Sequence, residues 1–185
     1  MEAPHDDADV TRSALLAAAG DRAALTAFIR ATQQDVWRFI AHLGHASTAD
    51  DLTQETYLRA MKSLPRFRGD SSAKTWLLSI ARRVCVDEVR HAQSRPRVSS
   101  GIDWIAAADA TRTYRPRWED MVEVNLLLAD LPAERREALV LTQILGLSYH
   151  EVAEVTGCPI GTVRSRVARA REALIAATAP HRRSV

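Results

Sequence analysis

The chain has 185 residues, 46% of them hydrophobic and 26% charged, a balance that fits a soluble globular protein and is too polar for a membrane span. Seven Gly, seven Pro and 5% aromatic residues leave few turn signals and few β-formers, while Ala, Leu, Arg and Glu favour helix. Collagen-like, mucin-like and wholly disordered chains are excluded, and an all-α protein of one typical domain or two small ones is expected.

No segment reaches the roughly 18 apolar residues of a bilayer crossing, so no membrane insertion is expected. Glu2, Asp6, Asp7 and Asp9 stand where a secretory signal would place positive charge, which points to the cytoplasm. Cys85 and Cys158 have no CxxC or paired Cys/His spacing and read as small buried hydrophobes; neither disulfide, metal nor cofactor is expected.

The net charge of +2 conceals a segregation: residues 1–61 carry 5 basic and 9 acidic groups, 62–97 carry 9 and 3, 98–157 carry 5 and 10, and 158–185 carry 6 and 1. Two basic blocks alternate with two acidic ones, and binding follows local fields rather than totals. Among the 25 basic residues only Lys62 and Lys74 are Lys. Arg suits bidentate contact with phosphate or guanine.

Residues 1–20 read as an N-terminal tail. From Asp21 to His91 apolar residues recur at helical spacing, as in Leu25, Phe28 and Ile29, then Val36, Phe39, Ile40 and Leu43, giving a first helical domain over 21–96. Within it, Ala49 to Glu55 opens a helix that continues through Tyr57, Leu58, Met61 and Leu64. Two faces of that helix compete for apolar contact, one with Tyr57, Leu58, Met61 and Leu64, the other with Leu52 beside Glu55 and Arg59, and one of them is a candidate partner surface. The alternative is a solvated helix whose acidic start complements its dipole.

A second helix spans about Thr75 to Arg90, with Leu77, Ile80, Ala81 and Val84 as its apolar stripe and Glu88 interrupting it. Its outer side carries Trp76, Ser79, Arg82, Arg83, Val86 and Arg90. An aromatic among cations suits single-stranded nucleic acid, guanidiniums holding the backbone and rings stacking on bases. Trp76 can equally pack against a neighbouring helix.

Periodicity stops near Ser94 and resumes after Pro116, leaving a flexible linker over 97–118 that is long for a connection inside one compact domain. A second helical domain follows over 119–178, with 179–185 as a tail. In it Ser148 and Glu151 form a capping box, Gly157 stands where a helix ends in left-handed backbone, and Pro159 where a new one begins. Counting from Tyr149, small Ala153 is fifth, Gly157 ninth and Val163 fifteenth, the close-contact, turn and core positions of a helix-turn-helix. With Val163, Val167, Ala170 and Leu174 facing the core, the opposite face shows Gly161, Ser165, Ala168 and Arg169, flanked by Arg164, Arg171 and Arg166. Small residues let the backbone approach a groove floor while guanidiniums reach phosphates and base edges, as a recognition helix requires.

These residues resemble the extracytoplasmic-function (group IV) branch of the sigma-70 family, with the sigma factor C subgroup as its nearest branch. The resemblance runs from about Asp21 to Leu174. It is carried by Asp50-Asp51-Leu52-Thr53-Gln54-Glu55, by Phe67-Arg68-Gly69-Asp70-Ser71 leading to Thr75-Trp76-Leu77, and by Leu147-Ser148-Tyr149 through Cys158-Pro159-Ile160-Gly161-Thr162-Val163-Arg164-Ser165-Arg166. It implies a promoter-specificity subunit of bacterial RNA polymerase rather than an enzyme, with core polymerase (the β′ clamp helices and the β flap) and promoter DNA as partners and an anti-sigma factor as a further candidate. Asp50, Asp51, Gln54 and Glu55 would face the clamp. Phe67, Trp76, Arg82, Arg83 and Arg90 would hold the melted −10 strand and a flipped base. Gly161, Thr162, Arg164, Ser165, Arg166 and Arg169 would read the double-stranded −35 element. Arg83 stands where many relatives have Asn, and Ala168 where some have a bulky side chain, so the base preferences of relatives do not transfer.

Two other classes compete. A stand-alone dimeric helix-turn-helix regulator would bind a two-fold symmetric site, but explains only the second block. An all-helical metalloenzyme would start from His42 and His45 near Asp50 and Asp51, yet no third ligand or nucleophile–base set is visible.

Overall fold

The computed structural model describes residues 7–94 and 118–178; the expected linker and C-terminal tail lie almost wholly outside them. Among the described residues there is helix and no strand, as composition predicts. Residues expected as tail form a helix instead: α1, Asp7–Ala18, buries Val10 and Ala14 against the next helix. Two small side chains at i and i+4 let the backbones approach closely, and so weak an apolar signal is easily overlooked.

α2, Arg22–Ile40, starts at Asp21, whose carboxylate accepts from the amides of Ala23 and Ala24 at 2.8 and 3.0 Å, satisfying two donors the helix start leaves unpaired. Phe28, Val36, Phe39 and Ile40 lie fully inside. Thr32 is also buried; its hydroxyl bonds the Phe28 carbonyl at 2.8 Å and the Tyr57 hydroxyl at 2.7 Å, which removes the cost of an unpaired polar group. A π turn over Ala41–His45, with Gly44 in left-handed backbone, leads to α3, Ala49–Ser63. α3 buries Leu52, Thr56 and Ala60, so the face with Leu52 is the core face. Tyr57 and Met61 are half-buried at its margin, and Leu58 points outward, 52% exposed.

α4, Ala73–Ser94, packs on α1, α2 and α3. Its buried face holds the expected Leu77, Ile80, Ala81 and Val84 and adds Leu78 and Cys85; burial raises the Cys85 thiol to about 12, consistent with an inert core residue. Glu88 sits at the edge of this face, half-exposed.

In the second domain, α5, Trp118–Ala129, and α6, Ala133–Leu139, lead through a π turn into α7, Tyr149–Thr156, and α8, Ile160–Thr178. Leu139, Leu141, Val152, Val155, Val163, Val167 and Ala170 make its core. Leu174, expected on the α8 stripe, is only half-buried.

The helix-turn-helix forms as its caps require. Ser148 Oγ accepts from Glu151 N–H at 3.3 Å and Glu151 Oε2 accepts from Ser148 N–H at 2.9 Å, while Gly157 ends α7 at φ 69°. The amides of Thr162 and Val163 both bond the Pro159 carbonyl, so Pro159 caps α8 without losing a needed donor. A Cβ at Gly157 would meet nothing within 4 Å; the cost of Gly157→Ala is therefore backbone strain alone, about 1 kcal/mol, and Ser148→Ala should also cost about 1 kcal/mol. Both should lower the urea unfolding midpoint, and an unchanged midpoint for Gly157→Ala would show that the turn does not depend on left-handed backbone.

Candidate nucleic-acid interface

Full burial of Val163, Val167 and Ala170 fixes the rotation of α8. Gly161, Arg164, Ser165, Ala168 and Arg169 consequently face solvent together, with Thr162 at their margin. Ser165 Oγ is turned back to the Thr162 carbonyl at 2.9 Å. Arg166 is engaged within its own domain: its guanidinium bonds Glu134 at 2.7 Å and approaches Cys158 Sγ at 3.6 Å, bracing α8 against α6. Arg171 likewise bonds Gln143 at 2.7 Å. The outward basic surface is therefore narrower than the wheel suggests and centres on Arg164 and Arg169.

In the first domain, the Phe67 and Trp76 rings meet at 4.9 Å between centroids, tilted by 40°. Both are half-buried: each packs on the core and leaves part of its surface accessible. Arg83 and Arg90 are exposed along α4. Arg82 is not free. It pairs with Glu137 of the second domain at 2.7 Å, with 30% and 9% side-chain exposure.

That pair belongs to a polar seam where α4 meets α7 and α6. Lys74 Nζ bonds Asp35 at 2.7 Å and the Leu145 carbonyl at 2.9 Å. Thr75 Oγ1 donates to Glu151 at 3.4 Å, and His42 Nδ1 lies 2.7 Å from Asn125 Oδ1. Burial pushes the Glu137 carboxyl up, against the hydrogen bond and charge of Arg82, which pull it down. Burial acts upward on Glu151 too, but the Ser148 amide and hydroxyl, then Thr75 and Lys74, outweigh it and hold that carboxyl low. Burial lowers both His42 and His45, which favours neutral imidazole. Glu137, Lys74 and Asn125 carried no motif signal, because only the docking of the domains brings them to a common seam.

On α3, Asp51, Gln54 and Leu58 are exposed at i, i+3 and i+7, one stripe of the helix. Asp50 and Glu55 are engaged inside the domain: Asp50 accepts from the Trp37 indole at 2.8 Å, and Glu55 bonds Arg59 at 2.7 Å, whose guanidinium also contacts Asp87 on α4. Among the described residues no group of three His, Cys, Asp or Glu could hold a metal ion, and no helix is long and apolar enough to cross a membrane.

Comparison with known proteins names this arrangement. Residues 28–95 match the family described as Sigma-70 region 2, and residues 121–174 match Sigma-70, region 4. The chain thus belongs to the sigma-70 family, within its extracytoplasmic-function branch, a group of non-enzymatic promoter-recognition subunits of RNA polymerase. It is 57% identical over 175 residues to the ECF RNA polymerase sigma factor SigC of Mycobacterium tuberculosis, covering 95% of this chain and 94% of that one. Two solved structures share the fold: CnrH in complex with the cytosolic domain of CnrY, at a TM-score of 0.71 and 25% identity over 91% of this chain and 96% of that one, and the sigma factor RpoE in complex with the anti-sigma factor NepR from Bartonella quintana, at 0.68 and 28% over 82% and 94%.

Glu137 offsets the charge that Arg82 could offer a nucleic-acid phosphate. Glu137→Gln keeps the shape of the seam and removes the charge, so the full chain should bind a single-stranded oligonucleotide roughly tenfold more tightly, the equivalent of one charged hydrogen bond released. Fluorescence anisotropy measures this, and unchanged affinity would show that the Arg82–Glu137 pair does not limit single-strand binding.

Proposed function

We propose that this sigma factor binds core RNA polymerase through α3, reads the −35 element as duplex with α8, and opens and holds the −10 element with the Phe67 loop and α4. One observation carries the reading: a helix-turn-helix whose buried valines leave Arg164, Ser165 and Arg169 together on the outer face. A major groove admits such a helix, and guanidiniums there can bond guanine edges or phosphates. Gly161 and Thr162 support it at the helix start, close to where a phosphate would lie; Arg166 acts as a brace.

For the −10 strand, the Phe67–Trp76 pair offers a stacking surface and Arg83 and Arg90 backbone contacts, with Arg82 joining once the seam opens. Asp51 and Gln54 contact the polymerase clamp directly beside Leu58, whereas Asp50 and Glu55 hold α3 in place through Trp37 and Arg59. The working units are 21–96, extended by α1, and 119–178, linked by 97–118. The protein acts in the cytoplasm, where its polymerase is, and has no catalytic activity of its own. An anti-sigma factor is a further partner, on the analogy of the RpoE complex.

The direct test mixes the purified chain with sigma-free core polymerase and sequences the transcripts started on genomic DNA; failure to co-elute with core would end this reading. Arg164→Ala or Arg169→Ala should reduce −35 discrimination by about 1–3 kcal/mol per lost base contact. A loss uniform across promoters, with a shallower salt dependence, would instead assign them to phosphates. Phe67→Ala and Trp76→Ala should lower initiation on duplex templates and spare it on templates already open at −10. Equal loss on both templates would reject the melting role.

A further inference from the structure

Helix α1 lies against the loop to which melting is assigned. Leu15 of α1 covers Gly69, where an added Cβ would stand 3.5–3.9 Å from its side chain. A cleft of about 500 Å³ runs along this contact, with Thr11, Arg12 and Leu15 on one wall and residues 69–72 on the other. Across this junction Thr11 Oγ1 accepts the N–H of Ala73 at 3.0 Å. Ala73 opens α4, so its amide is one of the donors that the helix cannot satisfy itself. Ser72 Oγ takes the Thr75 amide at 3.1 Å, and the Trp76 amide bonds the Ser72 carbonyl at 2.9 Å.

The first turn of α4 is thus held from its own sequence by Ser72 and from 62 residues away by Thr11. Trp76 stands on that turn and its ring meets that of Phe67, so a shift of the turn moves Trp76 and alters the surface the two rings form. We infer that Thr11 is a positioning residue for promoter opening: its hydroxyl, by accepting the Ala73 amide, sets where the Phe67–Trp76 surface meets the displaced strand. This rests on the melting role given above to those rings. It assigns to α1 a part in opening, exercised through the start of α4.

The test uses holoenzyme reconstituted with full-length chain carrying Thr11→Val, which replaces the hydroxyl by a methyl of equal size, Thr11→Ala, or Thr11→Ser, which keeps the hydroxyl. Initiation is measured on a duplex promoter and on one opened in advance at −10, and the ratio of the two is the readout. Thr11→Val and Thr11→Ala should lower that ratio roughly fivefold, as expected when one buried amide loses its acceptor, with core binding retained; Thr11→Ser should restore it. A wild-type ratio for Thr11→Val would overturn the inference, as would a Thr11→Ser variant as impaired as Thr11→Val. Loss of core binding by both Val and Ala variants would also overturn it, since the hydroxyl would then serve the fold at large. If Phe67→Ala and Trp76→Ala leave the ratio unchanged, the melting role itself fails; if they lower it and Thr11→Val does not, only the role of Thr11 fails.

Discussion

Burial of one face of α4 is the constraint from which the rest of the molecule follows. The helix runs from Ala73 to Ser94 and meets α1, α2, α3 and α7. Leu77, Leu78, Ala81 and Val84 are essentially sealed from solvent, and side chains of that size each contribute about 1.5–3 kcal/mol when fully buried, less for Ala. That energy fixes the rotation of the helix. With rotation fixed, Arg82 has to face the second domain, Arg83 and Arg90 have to face water, and Trp76 has to lie at the rim beside Phe67.

The same logic governs α8, where Val163 and Val167 face inward so that Arg164 and Arg169 cannot. Charge is then distributed by pairing. Acidic neighbours take some arginines out of the outward field: Glu134 takes Arg166, Glu55 and Asp87 take Arg59, and Glu137 takes Arg82. Where such pairs are exposed they contribute little, roughly 0–1 kcal/mol, but they orient the helices they join. What remains outward is a small set of cations beside small side chains, a surface that tolerates close approach of a duplex.

The seam between the domains has a different character from the cores. Its polar contacts are Lys74 on a carbonyl, Arg82 on a buried Glu137, and His42 against Asn125. Polar contacts of this kind resemble those of interfaces that form and part, because each group can exchange its partner for water or another ion at modest cost.

The all-helical fold, the helix-turn-helix with its capping box and Gly157, and the outward placement of Arg164, Ser165 and Arg169 were legible from spacing alone, because local caps and 3.6-residue periodicity depend on neighbours in the chain. Spacing allows two core faces for α3, and packing decides between them: Leu52 goes inside and Leu58 outside. Helix α1 has little signature in the sequence, since Val10 and Ala14 make a faint stripe and become a core only when α2 and α4 lie across them. The turning inward of Arg166, the engagement of Asp50 and Glu55, and the capture of Arg82 were equally invisible, as each depends on a partner supplied by another helix or the other domain. Sequence periodicity determines which face of a helix is apolar; which of the polar groups on the other face remain free is decided by what comes to rest against them, and that is a property of the tertiary structure.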